Sequence, residues 1–168
     1  MPDGSVEAGP GPVGGAESEG PEVASAPVTP VFRIMAVVDL TVDLPDPFAV
    51  VHLIEDEPPA RRLDIPIALA DATSLAYALG RGGTAKPLTH ELFTDVLRRF
   101  AIEIVAVRLT GRSVGTYSAE IALMGGTGHE VVPCRLSDGI ALALRQPVAA
   151  PLLADERLLE GRGDVAPA

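Results

Sequence analysis

Apolar and polar positions along the chain change period several times, and each change marks an element. Phe32-Arg33-Ile34-Met35-Ala36-Val37-Val38-Asp39-Leu40-Thr41-Val42 reads as a strand. Leu44-Pro45-Asp46-Pro47 is turn chemistry, because two prolines remove donors and preset φ. Phe48 to Ile54 is a second strand, near enough to the first to form a hairpin. A polar, proline-containing stretch over 55–60 turns the chain again. Leu63-Asp64-Ile65-Pro66-Ile67 alternates as a third strand, and Pro66, which lacks an N–H, points to an edge or an irregularity.

Helical spacing follows. Asp71 stands where an N-cap belongs, ahead of an apolar run over 72–79, and Gly80 is a natural stop. A loop over 81–87 leads to the clearest helix start, with Thr89 as the expected cap and Leu88 placed to staple onto Phe93. That helix runs to about Phe100, and Leu92, Phe93, Val96, Leu97 and Phe100 recur at helical spacing. Strand-like runs cover 102–109, 117–123 and 130–135, joined by turns at 112–115 and 125–128. Ser137 is the expected cap of a short helix over 138–145, which Pro147 ends. An extended piece over 148–152 and a last helical stretch over 155–160, with Gly161 as its stop, complete the pattern. Strands and helices come in blocks. The arrangement predicts an α+β fold, a mostly antiparallel sheet with helices inserted between strand blocks in a single domain.

Composition sharpens the boundaries. The chain has 168 residues, enough for one ordinary domain. Residues 1–30 hold six Gly, six Pro, five acids and no Lys or Arg, and they are read as a disordered acidic tail. The domain is expected over 31–161, with 162–168 as a frayed C-terminus. The net charge of −10 divides equally between the tail and the rest. A lone Cys134 excludes a disulfide framework or a cysteine-only zinc site and fits a reducing compartment. No apolar run approaches the roughly 20 residues that span a bilayer, and the N-terminus lacks the pattern of a secretory signal. A cytoplasmic protein without membrane contact is the expectation. The acidic balance also counts against a purely electrostatic nucleic-acid binder.

Four blocks narrow the reading further. Leu63-Asp64-Ile65-Pro66-Ile67 with Asp71-Ala72 is the first. Lys86-Pro87-Leu88-Thr89-His90-Glu91-Leu92, Gly115-Thr116-Tyr117-Ser118-Ala119 and Arg135-Leu136-Ser137-Asp138-Gly139-Ile140-Ala141-Leu142-Ala143-Leu144-Arg145 follow. In order and spacing the chain resembles the bifunctional nuclease domain family over roughly 31–161. It departs from that family's usual pattern at Asp64, Pro66 and Ala68, where Pro, Trp and Gly are common. Asp71 stands in place of Glu, and Leu136 in place of Pro. The resemblance implies an α+β domain, commonly a homo-oligomer, with DNase and RNase activity.

The chemistry-bearing residues Asp71, Thr89-His90-Glu91 and Ser137-Asp138 all fall at predicted helix starts. Helix N-termini present free N–H groups and a positive dipole end, which suit a phosphate. If the three starts converge, His90, Glu91, Ser137 and Asp138 are the candidate catalytic groups. Arg135, Arg145 and Thr89 would hold phosphate. Asp71, Glu91 and Asp138 could ligate a divalent ion such as Mg²⁺ or Mn²⁺, a Lewis acid and source of hydroxide. Plain capping competes with this at Asp71, Thr89 and Ser137. His90 has no such ordinary explanation, since histidine has no special preference for a first helical turn. Cys134 reads as a small buried hydrophobe, and Gly125-Gly126-Thr127-Gly128 as a turn between strands.

Two function classes stay open. One is a metal-assisted nuclease hydrolysing DNA or RNA. The other is a non-catalytic oligomeric binding or assembly module, recognising an anionic ligand or a protein partner.

Overall fold

The alternating N-terminal segments form a meander of three strands, β1 (Phe32–Val42), β2 (Phe48–Glu55) and β3 (Arg62–Ala68). The structure is a computed structural model that describes residues 29–83 and 85–160. Residues 1–28 of the expected acidic tail, and the expected frayed end over 162–168, lie outside the described residues. Period-two burial is clearest in β2 and β3, where Ala49, Val51, Leu53, Leu63, Ile65 and Ile67 all point to one face. Helices α1 (Leu69–Ala78) and α2 (Thr89–Arg99) follow, then strands β4 (Glu103–Ser113), β5 (Thr116–Gly125) and β6 (Gly128–Cys134). Helix α3 (Leu136–Ala143) and strand β7 (Leu152–Asp155) end the sequence of regular elements.

All seven strands form one sheet in the order β3-β2-β1-β7-β4-β5-β6. Pairing is antiparallel throughout except between β4 and β7, which run parallel. Among the described residues the fold is α+β, with a seven-stranded, mostly antiparallel sheet and three α-helices. Pro66 lies on β3, an edge strand, where its missing N–H breaks no ladder. The extended piece expected over 148–152 is displaced to 152–155, and this four-residue strand occupies the centre of the sheet. The final helical stretch is only a 3-10 turn, Glu156–Leu158, because the Asp155 carboxylate accepts the Arg157 N–H and ends the strand there.

Each expected N-cap is displaced. The caps are Ala68, Leu88 and Arg135, so Asp71 is the third residue of α1, Thr89 the first of α2 and Ser137 the second of α3. The reason lies in what the side chains bond. Glu91 reaches back to the Leu88 N–H at 2.7 Å, while Asp71 and Ser137 bond each other instead of their own helix ends. With Leu88 as cap, Leu92 and not Phe93 takes the staple position, and Leu92 is exposed.

Helix α2 is rotated relative to its apolar pattern. Only Thr94 and Leu97 are buried, and Leu92, Phe93, Val96 and Phe100 face solvent. Thr94 and Leu97 stand four and seven residues after His90, on the same helical face. Packing that face against α3 carries His90 inward.

Two features hold the ends of the sheet and the third helix. Glu55, 3% exposed, accepts two 2.9 Å bonds from the Arg61 guanidinium. Arg33 bonds Glu156 at 2.8 Å and stands 3.7 Å from Glu55, extending the network to β1. Gly139 lets α3 approach the sheet, since a Cβ there would lie 2.9 Å from Val107 Cγ1 and 3.2 Å from Cys134 Sγ. Gly139→Ala is therefore expected to destabilise the protein by about 1–3 kcal/mol, the usual cost of overpacking. That is the opposite sign to the helix-propensity gain of alanine. Urea unfolding of the variant measures it.

Candidate functional site

Asp71 and Ser74 sit one helical turn apart on α1, so both side chains leave the same face. That face packs against α3, which contributes Ser137 and Asp138 from its first turn, with Arg135 immediately before. Helix α2 also packs against α3 and delivers His90. Thr94 holds this turn of α2, its hydroxyl donating to the His90 carbonyl at 2.8 Å.

The first turns of α2 and α3 are joined directly, His90 Nε2 lying 3.0 Å from Asp138 Oδ1. On the other ring edge, His90 Nδ1 lies 2.8 Å from Ser74 Oγ. A carboxylate only accepts, so Nε2 carries the proton towards Asp138, and in the neutral ring Nδ1 accepts from the Ser74 hydroxyl. The result is one continuous chain, Ser74 to His90 to Asp138. Beside it, the Ser137 hydroxyl donates to Asp71 Oδ2 at 3.2 Å, and Arg135 reaches Asp71 Oδ1 at 3.4 Å. His90 and Asp71 are about four-fifths buried, whereas Arg135 is 73% exposed and free to turn outward.

Expected residues outside these chains have other partners. Glu91 caps its own helix through Leu88. Arg145 donates to the carbonyls of Ala141 at 2.9 Å and Ser74 at 3.0 Å, so its fork supports the helix ends. Burial pushes its guanidinium below the ordinary arginine value, against the opposing pull of the Glu91 carboxylate. Thr89 is exposed at the rim. Half-buried Cys134 lies under α3, and burial, with a smaller contribution from the Asp138 charge, pushes its thiol up to about 11. It is an inert thiol rather than a nucleophile.

Among the described residues no three His, Cys, Asp or Glu side chains are grouped to hold a metal ion. Of the residues expected to ligate Mg²⁺ or Mn²⁺, Asp71 is turned to Ser137 and Arg135. Glu91 is turned to a backbone N–H, and Asp138 to a ring nitrogen.

Residues 51–165, well over half of the chain, match the family described as the bifunctional nuclease domain. The chain belongs to the bifunctional nuclease domain family. The match takes in every residue of both hydrogen-bonded chains, while β1, which the sequence resemblance included, precedes it. Two relatives come from Mycobacterium tuberculosis, uncharacterized protein Rv1829 of strain ATCC 25618 / H37Rv and uncharacterized protein MT1877 of strain CDC 1551 / Oshkosh. Each is 30% identical over 105 residues, 61% of this chain and 61% of the relative. The chain thus spans about three-fifths of the length of these curated relatives.

Ser74 was not legible as a site residue. It lies in the interior of a run of helix formers, with no motif around it. The one available signal was its spacing of three from Asp71.

Proposed function

We propose that this member of the bifunctional nuclease domain family is a nuclease hydrolysing phosphodiester bonds of DNA or RNA. The observation that carries the reading is the direct bond from His90 to Asp138 at the meeting of three helix starts. Such a pair can take and return a proton, Asp138 fixing the ring and favouring its charged form during transfer. Arg135 and Thr89 at the exposed rim, together with the N–H groups of α2 and α3, supply the phosphate subsite. Ser137 and Asp71 hold the α1–α3 junction beside it. No step is routed through a metal.

The test is initial-rate cleavage of single- and double-stranded DNA and RNA by purified protein, with Mg²⁺, with Mn²⁺ and with chelator. Cleavage that survives chelator supports the dyad chemistry. Absence of cleavage under all conditions overturns the nuclease reading.

A second reading, an oligomeric assembly module, is favoured by the exposed Leu92, Phe93, Val96 and Phe100 on α2. The occupant proposed for this face is a second copy of the chain. Helix α2 carries Glu91 in its first turn, Asp95 near its middle and Arg98 and Arg99 in its last turn. Antiparallel two-fold packing of two copies therefore sets acids against bases around the apolar stripe. A dimer or larger assembly is expected in sedimentation velocity, shifting to monomer in Phe93→Asp. A monomeric wild type removes this claim.

A further inference from the structure

We infer that Ser74 is the nucleophile of this site and forms a transient covalent phosphoseryl ester. The inference rests on the nuclease reading for its natural substrate, but its chemistry is testable apart from it. Three observations carry it. First, the Ser74 hydroxyl meets His90 Nδ1 at 2.8 Å across a helix–helix boundary. A mid-helix serine ordinarily bonds back to the carbonyl four residues before it. Second, Asp138 occupies the far ring nitrogen at 3.0 Å, so the only ring nitrogen able to accept a proton is the one facing Ser74. This is the order of groups that activates a serine, with the two ring nitrogens exchanged. Third, Ser74 is partly exposed, and the Arg145 bond to its own carbonyl holds that turn of α1 in place.

The step balances without any further reactant than water. Ser74 Oγ bonds to phosphorus, its proton passes to His90 Nδ1, and the bond from phosphorus to the leaving sugar oxygen breaks. That oxygen takes the proton from His90 and departs as an alcohol. Water then attacks the phosphoseryl ester, again giving its proton to His90, and Ser74 Oγ leaves and is reprotonated. Asp138 stays ionised and steadies the Nε2–H throughout.

A second row of the same residue types lies on the opposite face of the sheet and serves as an internal comparison. There Thr41 Oγ1 lies 2.9 Å from His52 Nε2, and His52 Nδ1 lies 2.8 Å from Asp64 Oδ1. His52 and Asp64 stand directly opposite each other on β2 and β3, Thr41 lies diagonally from His52 on β1, and Asp64 is 59% exposed. Water screens that row, and cross-strand pairing accounts for it. The Ser74 row is more sheltered, its carboxylate Asp138 being 37% exposed where the three helices meet.

The experiment treats full-length protein with a fluorophosphonate, which loses fluoride to an activated serine, and locates the adduct by peptide mass spectrometry. An adduct on Ser74 is expected in wild type and in Thr41→Ala, and at least tenfold less of it in His90→Ala, as expected for an activating base. Ser74→Ala is expected to lower nucleic-acid cleavage about 100-fold or more while melting like wild type, alanine being a good helix former. Wild-type protein without an adduct on Ser74 overturns the inference, and so does Ser74→Ala cleaving at the wild-type rate. An adduct on Ser74 in protein that cleaves no nucleic acid upholds the nucleophile and removes the nuclease reading. Cleavage without an adduct does the reverse.

Discussion

Alanine in place of His90 is expected to lower the proposed phosphodiester cleavage by about 10²–10⁴-fold, the contribution of one positioned acid–base group. The size follows from the geometry. His90 bonds both Ser74 and Asp138, bridging α1 and α3 through a ring able to carry a proton. Removing the ring leaves the phosphate subsite standing, so substrate affinity should change far less than turnover. The fold should also survive. His90 sits in the first turn of α2, and the buried packing of that helix is made by Thr94 and Leu97. The loss of two partly exposed hydrogen bonds costs about 1–2 kcal/mol, well short of unfolding a domain. Single-turnover rates on DNA and RNA, read beside a thermal melt of each protein, separate the two effects. Cleavage within threefold of wild type in a folded His90→Ala protein would remove His90 from the mechanism.

Glu55→Gln carries the largest expected stability change. Its side chain is 2% exposed and is held by Arg61 through both carboxylate oxygens. Glutamine keeps the shape but leaves the largely buried Arg61 charge with only its longer, 3.4 Å contact to Glu156. Breaking a buried pair from one side costs about 3–5 kcal/mol. The same pair sets a pH dependence. Hydrogen bonding to Arg61, and then the charges of Arg61 and Arg33, hold the Glu55 carboxyl below its ordinary value, while burial pulls the other way. A carboxyl with a lower pKa folded than unfolded contributes full stability above the unfolded value. That contribution fades as pH falls through the folded one. Wild type should therefore lose stability progressively below about pH 5, and Glu55→Gln should lose less of it. Part of the slope remains in the variant, because Arg157 likewise holds the Asp155 carboxyl low. Urea midpoints across that pH range measure both statements. Equal midpoints for the two proteins at neutral pH would show that the network is neutral.

Local pattern determined a good deal. Alternation in 62–68 and 48–55 is visible residue by residue, because one face of each strand is buried and a period of two leaves no other choice. Pro66 marked its strand as an edge for a reason internal to proline. The three helices lie close to where their apolar runs predicted them, and His90, without a capping explanation, stood out before any coordinates. Family membership was also legible, since it rests on short blocks read in order.

What the chain cannot express locally was decided by tertiary contacts. The centre of the sheet is a four-residue strand too short to announce itself, stabilised by partners more than forty residues away in sequence. Two of the expected caps moved because they found each other across helices, Asp71 taking Ser137, while Thr89 gave way to Leu88, whose N–H is held by Glu91. Which face of α2 turns inward was set by packing on α3, not by the helix's own apolar stripe. Ser74 acquired chemistry only through that packing. A serine hydroxyl has little chemistry alone, and a ring nitrogen brought from another helix is what can activate it. The sequence by itself thus determined which segments become strands and helices, because that depends on periodicity along the chain. The structure decided which side chains meet, because that depends on how the faces of those elements are buried together.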